Sequence, residues 1–135
     1  MSVEILVPAK LFNPPTYAQA AIGPGRGIVC ISGQVALDES GALVGQGDLA
    51  AQSEQVYRNL GAALAAASLT FRDVLKVTIF VVDWTPQKMQ PLVEGAMRAA
   101  AAIGMDAPRP MTMIGVSALA SPDFLLEAEV MAMID

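Results

Sequence analysis

The stretch Phe124 to Ile134 places two carboxylates inside an otherwise apolar run, and it constrains the fold more than any other part of the chain. Read as a strand, whose side chains alternate between faces, it puts Leu126, Ala128, Val130, Ala132 and Ile134 on one side. Glu127 and Glu129 then share the other side with Leu125, Met131 and Met133. An ionised carboxylate is costly to bury without a cation or several donors, so the first face belongs to a core and the second does not. One reading is the wet face of an edge strand, which its leucine and methionines weaken because they would leave much of that face greasy. A partner chain or a cleft beside it fits the mixture.

With 135 residues the chain is read as a single domain, 1–135, long enough to bury a core without disulfides. Hydrophobic residues make up 54% and charged ones 16%, an apolar balance that places part of the excess in a subunit interface. The formal net charge is −5 and the eight Lys and Arg residues are scattered, so no basic stripe is available for a phosphate backbone and nucleic acid is not an expected partner. Histidine is absent, which excludes Ser-His-Asp triads, Cys-His pairs and His-ligated zinc within one chain. No metal or cofactor is expected. The single cysteine, Cys30, reads as a small buried hydrophobe, and a lone cysteine fits a reducing compartment. No uncharged apolar stretch reaches the length of a membrane span or of a signal-peptide core, so a soluble cytoplasmic protein is expected.

Along the chain, Leu11 to Tyr17 with its prolines reads as a loop. Tyr17 to Ile22 and Ile28 to Ser32 read as strands joined into a hairpin by Gly23-Pro24-Gly25-Arg26-Gly27. Asp48 is placed to cap a helix running to about Ala67, with Val56, Leu60, Ala63, Leu64 and Ala67 at helical spacing. Thr70 to Asp73 resembles a capped turn, and Val74 to Val82, apolar at both parities, reads as a central strand covered on both faces. Thr85-Pro86 signals a helix start; Leu92 to Ile103 presents Leu92, Val93, Ala96, Met97, Ala100 and Ile103, and Gly104 ends it. Met111 to Leu119 is a further strand before the last. The order β-β-α-β-α-β-β implies an α+β fold, a mixed sheet with two helices packed on one face.

Taken in order, the Tyr17 strand, Ser32-Gly33-Gln34, the Asp48 helix, Asp73 to Val81, Gly115-Val116-Ser117-Ala118-Leu119 and Glu127-Ala128-Glu129 resemble the RidA/YjgF family over almost the whole chain. The resemblance implies a homotrimer of chorismate-mutase-like fold with small-molecule clefts between subunits, hydrolysing reactive imines and enamines such as 2-aminoacrylate. It also implies roles. Glu127 matches the carboxylate that handles the attacking water, a general acid/base task, and Tyr17 and Ser32 match cleft positions. Read on their own, Tyr17 is equally a strand-end tyrosine and Ser32 a turn serine.

One position departs from the family. The arginine that clamps the substrate carboxylate in deaminases is matched here by Met111, four residues before Gly115, and the position two further on is Met113. Arg109 would point the same way as Met111 from about 7 Å back along a strand, or swing into solvent between Pro108 and Pro110. Two readings follow: a deaminase whose clamp is missing or displaced to Arg109, with Met111 and Met113 lining the site, or a non-catalytic trimer that binds a small metabolite. Ribonuclease activity, attached to some relatives, is disfavoured by the acidic balance and the missing histidine.

Overall fold

The computed structural model describes residues 3–7, 9, 10, 14, 15, 18 and 20–135. Its strands and helices are β1 (Glu4–Leu6), β2 (Ala20–Ile22), β3 (Gly27–Gln34), α1 (Leu49–Ala66), β4 (Val74–Val82), α2 (Met89–Ile103), β5 (Met111–Val116) and β6 (Leu126–Ile134). The principal sheet has the order β3-β6-β4-β5. β6 runs antiparallel to both neighbours and β4 pairs parallel with β5, which makes the sheet mixed. Helix α1 lies against β6 and β3, α2 packs along α1, and both contribute to a core shared with the sheet.

Local chemistry starts these elements where the residues predict. The Asp48 carboxylate accepts from the Ala51 amide at 3.0 Å and so satisfies one of the free donors at the start of α1. Thr70 and Asp73 form a reciprocal capping box around the single turn Phe71–Asp73 that launches β4. Gly104 ends α2 in the left-handed conformation, φ 75°, which favours glycine. α2 begins at Met89 rather than Leu92, because Pro91 falls in the first turn, where a missing N–H costs nothing.

Three expectations are corrected. β2 and β3 do not form a hairpin: β2 pairs with β1, while β3 pairs with β6. The glycines between them serve close approach, since a Cβ on Gly25 would collide with the Ile134 carbonyl oxygen, and Arg26 N donates to that oxygen at 2.7 Å. The end of β6 is also out of step with strict alternation, with Met133 2% and Ile134 37% exposed. The Gly23 and Gly25 backbone covers the Met133 sulfur, which therefore stays dry on the otherwise open face. Finally, the buried parity of β4 is Val77, Ile79 and Val81, while Lys76, Thr78, Phe80 and Val82 on the opposite face are only half-buried. The chain's own helices cover one face of this strand.

The helix contact is also rotated from the most apolar face. Val93 and Met97 are 43% and 63% exposed, whereas Leu92, Gly95, Ala96, Ala99, Ala100 and Ile103 are buried. Gly95 decides this. A Cβ there would strike the Ala50 carbonyl oxygen and lie 2.6 Å from Ser53 Cβ, so the two backbones approach more closely than any side chain permits. Ser53 Oγ, fully buried, closes the contact by donating to the Leu92 carbonyl at 2.7 Å. Gly95→Ala should therefore lower stability by about 1–3 kcal/mol through overpacking, although alanine is the better helix former by about 1 kcal/mol. A lower urea midpoint with an unchanged slope is the expected result.

Candidate functional site

The site is built on a bulge in β3. Ile31 pairs with Val130 and Gln34 with Ala128, so β3 carries one more residue than β6 across this interval, at Ser32-Gly33. Gly33 has no side chain to fill the gap, and the Glu127 carboxylate fills it: a Cβ on Gly33 would collide with Oε1 and lie 2.7 Å from Cδ. Glu127 is half-buried on the face of β6 turned away from the core, opposite Phe80. Glu129, two residues on and opposite Thr78, is exposed. A hollow of about 180 Å³ beside it is lined by Cys30, Lys76, Thr78, Glu129 and Met131. Cys30 is thus exposed rather than buried, because it shares its parity with Ile28 and Ser32 on the open face.

On the other side of Gly33 a larger cleft, about 500 Å³, opens between the end of β3, the loop that follows it and α1. Its lining includes Gly33, Asp38, Glu39, Asn59, Ala62 and Ala63. The Asn59 amide shapes the wall, donating to the Val35 and Leu37 carbonyls at 3.0 and 2.8 Å. Asp38 Oδ1 accepts from the Ser40 amide and hydroxyl and from the Ala42 amide. These bonds, the Ser40 hydroxyl foremost, hold its carboxyl below the ordinary range.

The residues singled out by sequence are only partly brought together. Ser32 is exposed at the bulge, next to the Gly33 on which Glu127 is seated, and its carbonyl accepts from Gln34 Nε2 at 3.0 Å. Tyr17 lies outside the described residues. Met111 and Met113 pair with Val77 and Ile79, so they share the core-facing parity and pack, half-buried, against the hydrophobic core. Within one chain they do not face Glu127.

Arg109 does not reach the site either. It is 7% exposed, and its Nη2 donates to the Arg72 carbonyl at 2.9 Å, with Asp106 Oδ1 at 3.8 Å. Burial lowers its pKa from the ordinary value, against the pull of Asp106 and Asp73. The Ala18 amide donates to the Arg109 carbonyl at 3.1 Å, which fixes the backbone between the two prolines. Neither a clamp reaching along the strand nor a solvent-exposed arginine describes this residue. Sequence reading missed Gly33 as the seat of Glu127 and Asn59 as a wall of the cleft. A glycine between Ser32 and Gln34 at the end of an apolar strand was the visible sign of the first.

No helix among the described residues is long and apolar enough to cross a membrane, and no group of three or more His, Cys, Asp or Glu among them is placed to hold a metal ion. Residues 12–134 match a family model described as endoribonuclease L-PSP. Over its fold the chain resembles a Yersinia pestis protein, YyfB of the conserved Rid family, at TM-score 0.86 and 33% identity, covering 99% of this chain and 100% of that one. A mouse 2-iminobutanoate/2-iminopropanoate deaminase is 39% identical over 74 residues, 50% of this chain and 55% of the relative. The Myxococcus xanthus protein DfrA is 42% identical over 67 residues, 50% of this chain and 51% of the relative. The chain thus spans about half the length of these two curated relatives.

Because Arg109 is buried and bonded to backbone, Arg109→Met should cost about 2 kcal/mol or more, the scale of a lost charge-assisted hydrogen bond and an orphaned carbonyl. Thermal unfolding of the variant checks this, with a lower midpoint expected.

Proposed function

The chain belongs to the RidA/YjgF family, the one described as endoribonuclease L-PSP, and on that premise we propose that it is a hydrolytic deaminase of small reactive imines and enamines. It acts in the cytoplasm, at clefts between the subunits of a homotrimer. The observation that carries the reading is the half-buried Glu127 carboxylate seated on the side-chain-free Gly33 at the rim of the sheet. A carboxylate held there, beside an open face, is placed to take a proton from water as the water attacks an imine carbon. The new C–O bond forms as the C=N π bond opens to a carbinolamine; the proton held by Glu127 passes to the nitrogen, the C–N bond then breaks as ammonia leaves, and a carbonyl compound remains. No cofactor or metal enters this chemistry. The deaminase names of the mouse and human relatives support it.

The assembly is supported by the uncovered sheet face, where Ile28 is 60% exposed and Ile114 and Met131 are also exposed. Large apolar side chains exposed on one sheet face of so small a chain support a second copy against it. A non-catalytic, metabolite-binding trimer is the second reading, and one observation favours it: Met111 stands at the family's clamp position and Arg109 is committed elsewhere. The family's ribonuclease label finds little support in a chain of net charge −5.

Ammonia release from freshly generated imines, with and without a carboxylate, separates the readings. Glu127→Gln should reduce kcat by about a hundredfold or more, the usual contribution of a positioned acid/base group, while the oligomer survives. No acceleration of any imine by the unaltered protein would leave only the binding reading. Light scattering should return three chain masses per particle, and a monomer at micromolar concentration would remove the intersubunit clefts.

A further inference from the structure

The four strands of the principal sheet carry one cation and two anions. Lys76 is the only lysine or arginine within β3, β4, β5 and β6, and Glu127 and Glu129 are their only acids. All three belong to the face that the helices leave open. They are not paired with one another. Lys76 Nζ donates to the Thr112 hydroxyl on β5, on the side away from β6, and neither carboxylate has a hydrogen bond or an ion pair among the described residues.

Lys76 and Glu129 nevertheless line one hollow of about 180 Å³, together with Cys30, Thr78 and Met131. The same face exposes Ile28, Ile114 and Met131. A second copy that covers these apolar side chains also takes the hollow out of water, and a carboxylate so covered needs a cation. Symmetry limits where that cation comes from, because every copy brings the same side chains and a closed ring provides one Lys76 for each Glu129. The helix arginines Arg58 and Arg98 are already paired with Glu54 and Glu94. With one strand cation to two carboxylates, the other carboxylate has to stay wet. Glu127, seated on Gly33, is the one whose proposed chemistry needs water.

We infer that a second copy of this chain closes the open sheet face through an ion pair between Lys76 and Glu129 of the partner subunit, formed at the hollow. The inference rests on the homotrimer reading and names the polar contact that holds it. An ammonium has three donors, so Lys76 keeps its bond to Thr112 while it meets the carboxylate.

Sedimentation of the full chain over a concentration series, with urea added where needed to bring dissociation into range, tests the pair. Lys76→Met and Glu129→Gln should each raise the concentration at half-dissociation at least tenfold, since each leaves a covered charge without its partner. The double variant should dissociate no more readily than the less stable single one, because it removes the orphaned charge as well. Glu127→Gln, on the same face, should leave the midpoint unchanged. Thermal unfolding of the dissociated variants should match that of the dissociated unaltered chain, and a lower midpoint there would put the pair within one subunit and overturn the inference. Assemblies as stable in both single variants as in the unaltered chain, or weakened equally by Glu127→Gln, overturn it too and leave the homotrimer reading standing. An unaltered chain that sediments as a monomer at micromolar concentration removes both.

Discussion

Strand β6 is the constraint on which the rest of the structure depends. It is bonded on both sides, to β3 and to β4, and its Leu126, Ala128, Val130 and Ala132 are all buried against the helical layer. Because side chains alternate, a slip of one residue would exchange that apolar row for Glu127 and Glu129. Burying two carboxylates without cations is prohibitive, so the register is held as firmly by what the core rejects as by what it gains. Full burial of each large aliphatic in this layer contributes about 1.5–3 kcal/mol. The same alternation delivers Glu127 to the open face, where the Gly33 bulge receives it.

Buried polar groups on α1 then set the surroundings of that face. Gln52, fully buried, donates to the Gly45 and Asp123 carbonyls and accepts from the Leu125 amide, all within 3.0 Å. One side chain thus joins the loop before the helix to the turn that feeds β6. About two turns further on, Asn59 ties the chain beyond β3 to the same helix. One helix therefore holds both the wall of the cleft and the turn that leads into β6, with four carbonyls and one amide of these loops satisfied by its side chains.

Much of this was legible in the residues because it is local. Asp48, Thr70 and Gly104 mark helix and turn boundaries through bonds that span only a few positions, and the spacing of Val56, Leu60 and Leu64 identifies the inner face of α1. The family likeness was legible for another reason, since it rests on an ordered set of motifs over nearly the whole length. What local pattern did not carry was decided at long range. The partner of β3 is chosen by β6, about a hundred residues away, so the glycine-rich turn at Gly23 to Gly27 looked like a hairpin without being one. The parity of Met111 and Met113 is imposed by their pairing with β4, and the inner face of α2 by a single glycine, Gly95, against the greater hydrophobicity of Val93 and Met97. The fate of Arg109 depended on the Arg72 carbonyl, which no pattern around Arg109 announces.

The strand order β3-β6-β4-β5 also governs how the chain comes to be assembled during synthesis. β3 and β4 are both made early, yet they do not touch: each waits for β6 to enter the gap between them. Until then β3 has no partner in this sheet and one edge of β4 is unpaired. Loop-closure entropy for the β3–β6 contact is met only at that last insertion, which makes the topology slow to fold and exposed to misassociation while it does. Sheet closure and the arrival of Glu127 at its seat are consequently the same event, so a nascent chain acquires its carboxylate site only when the core itself is sealed.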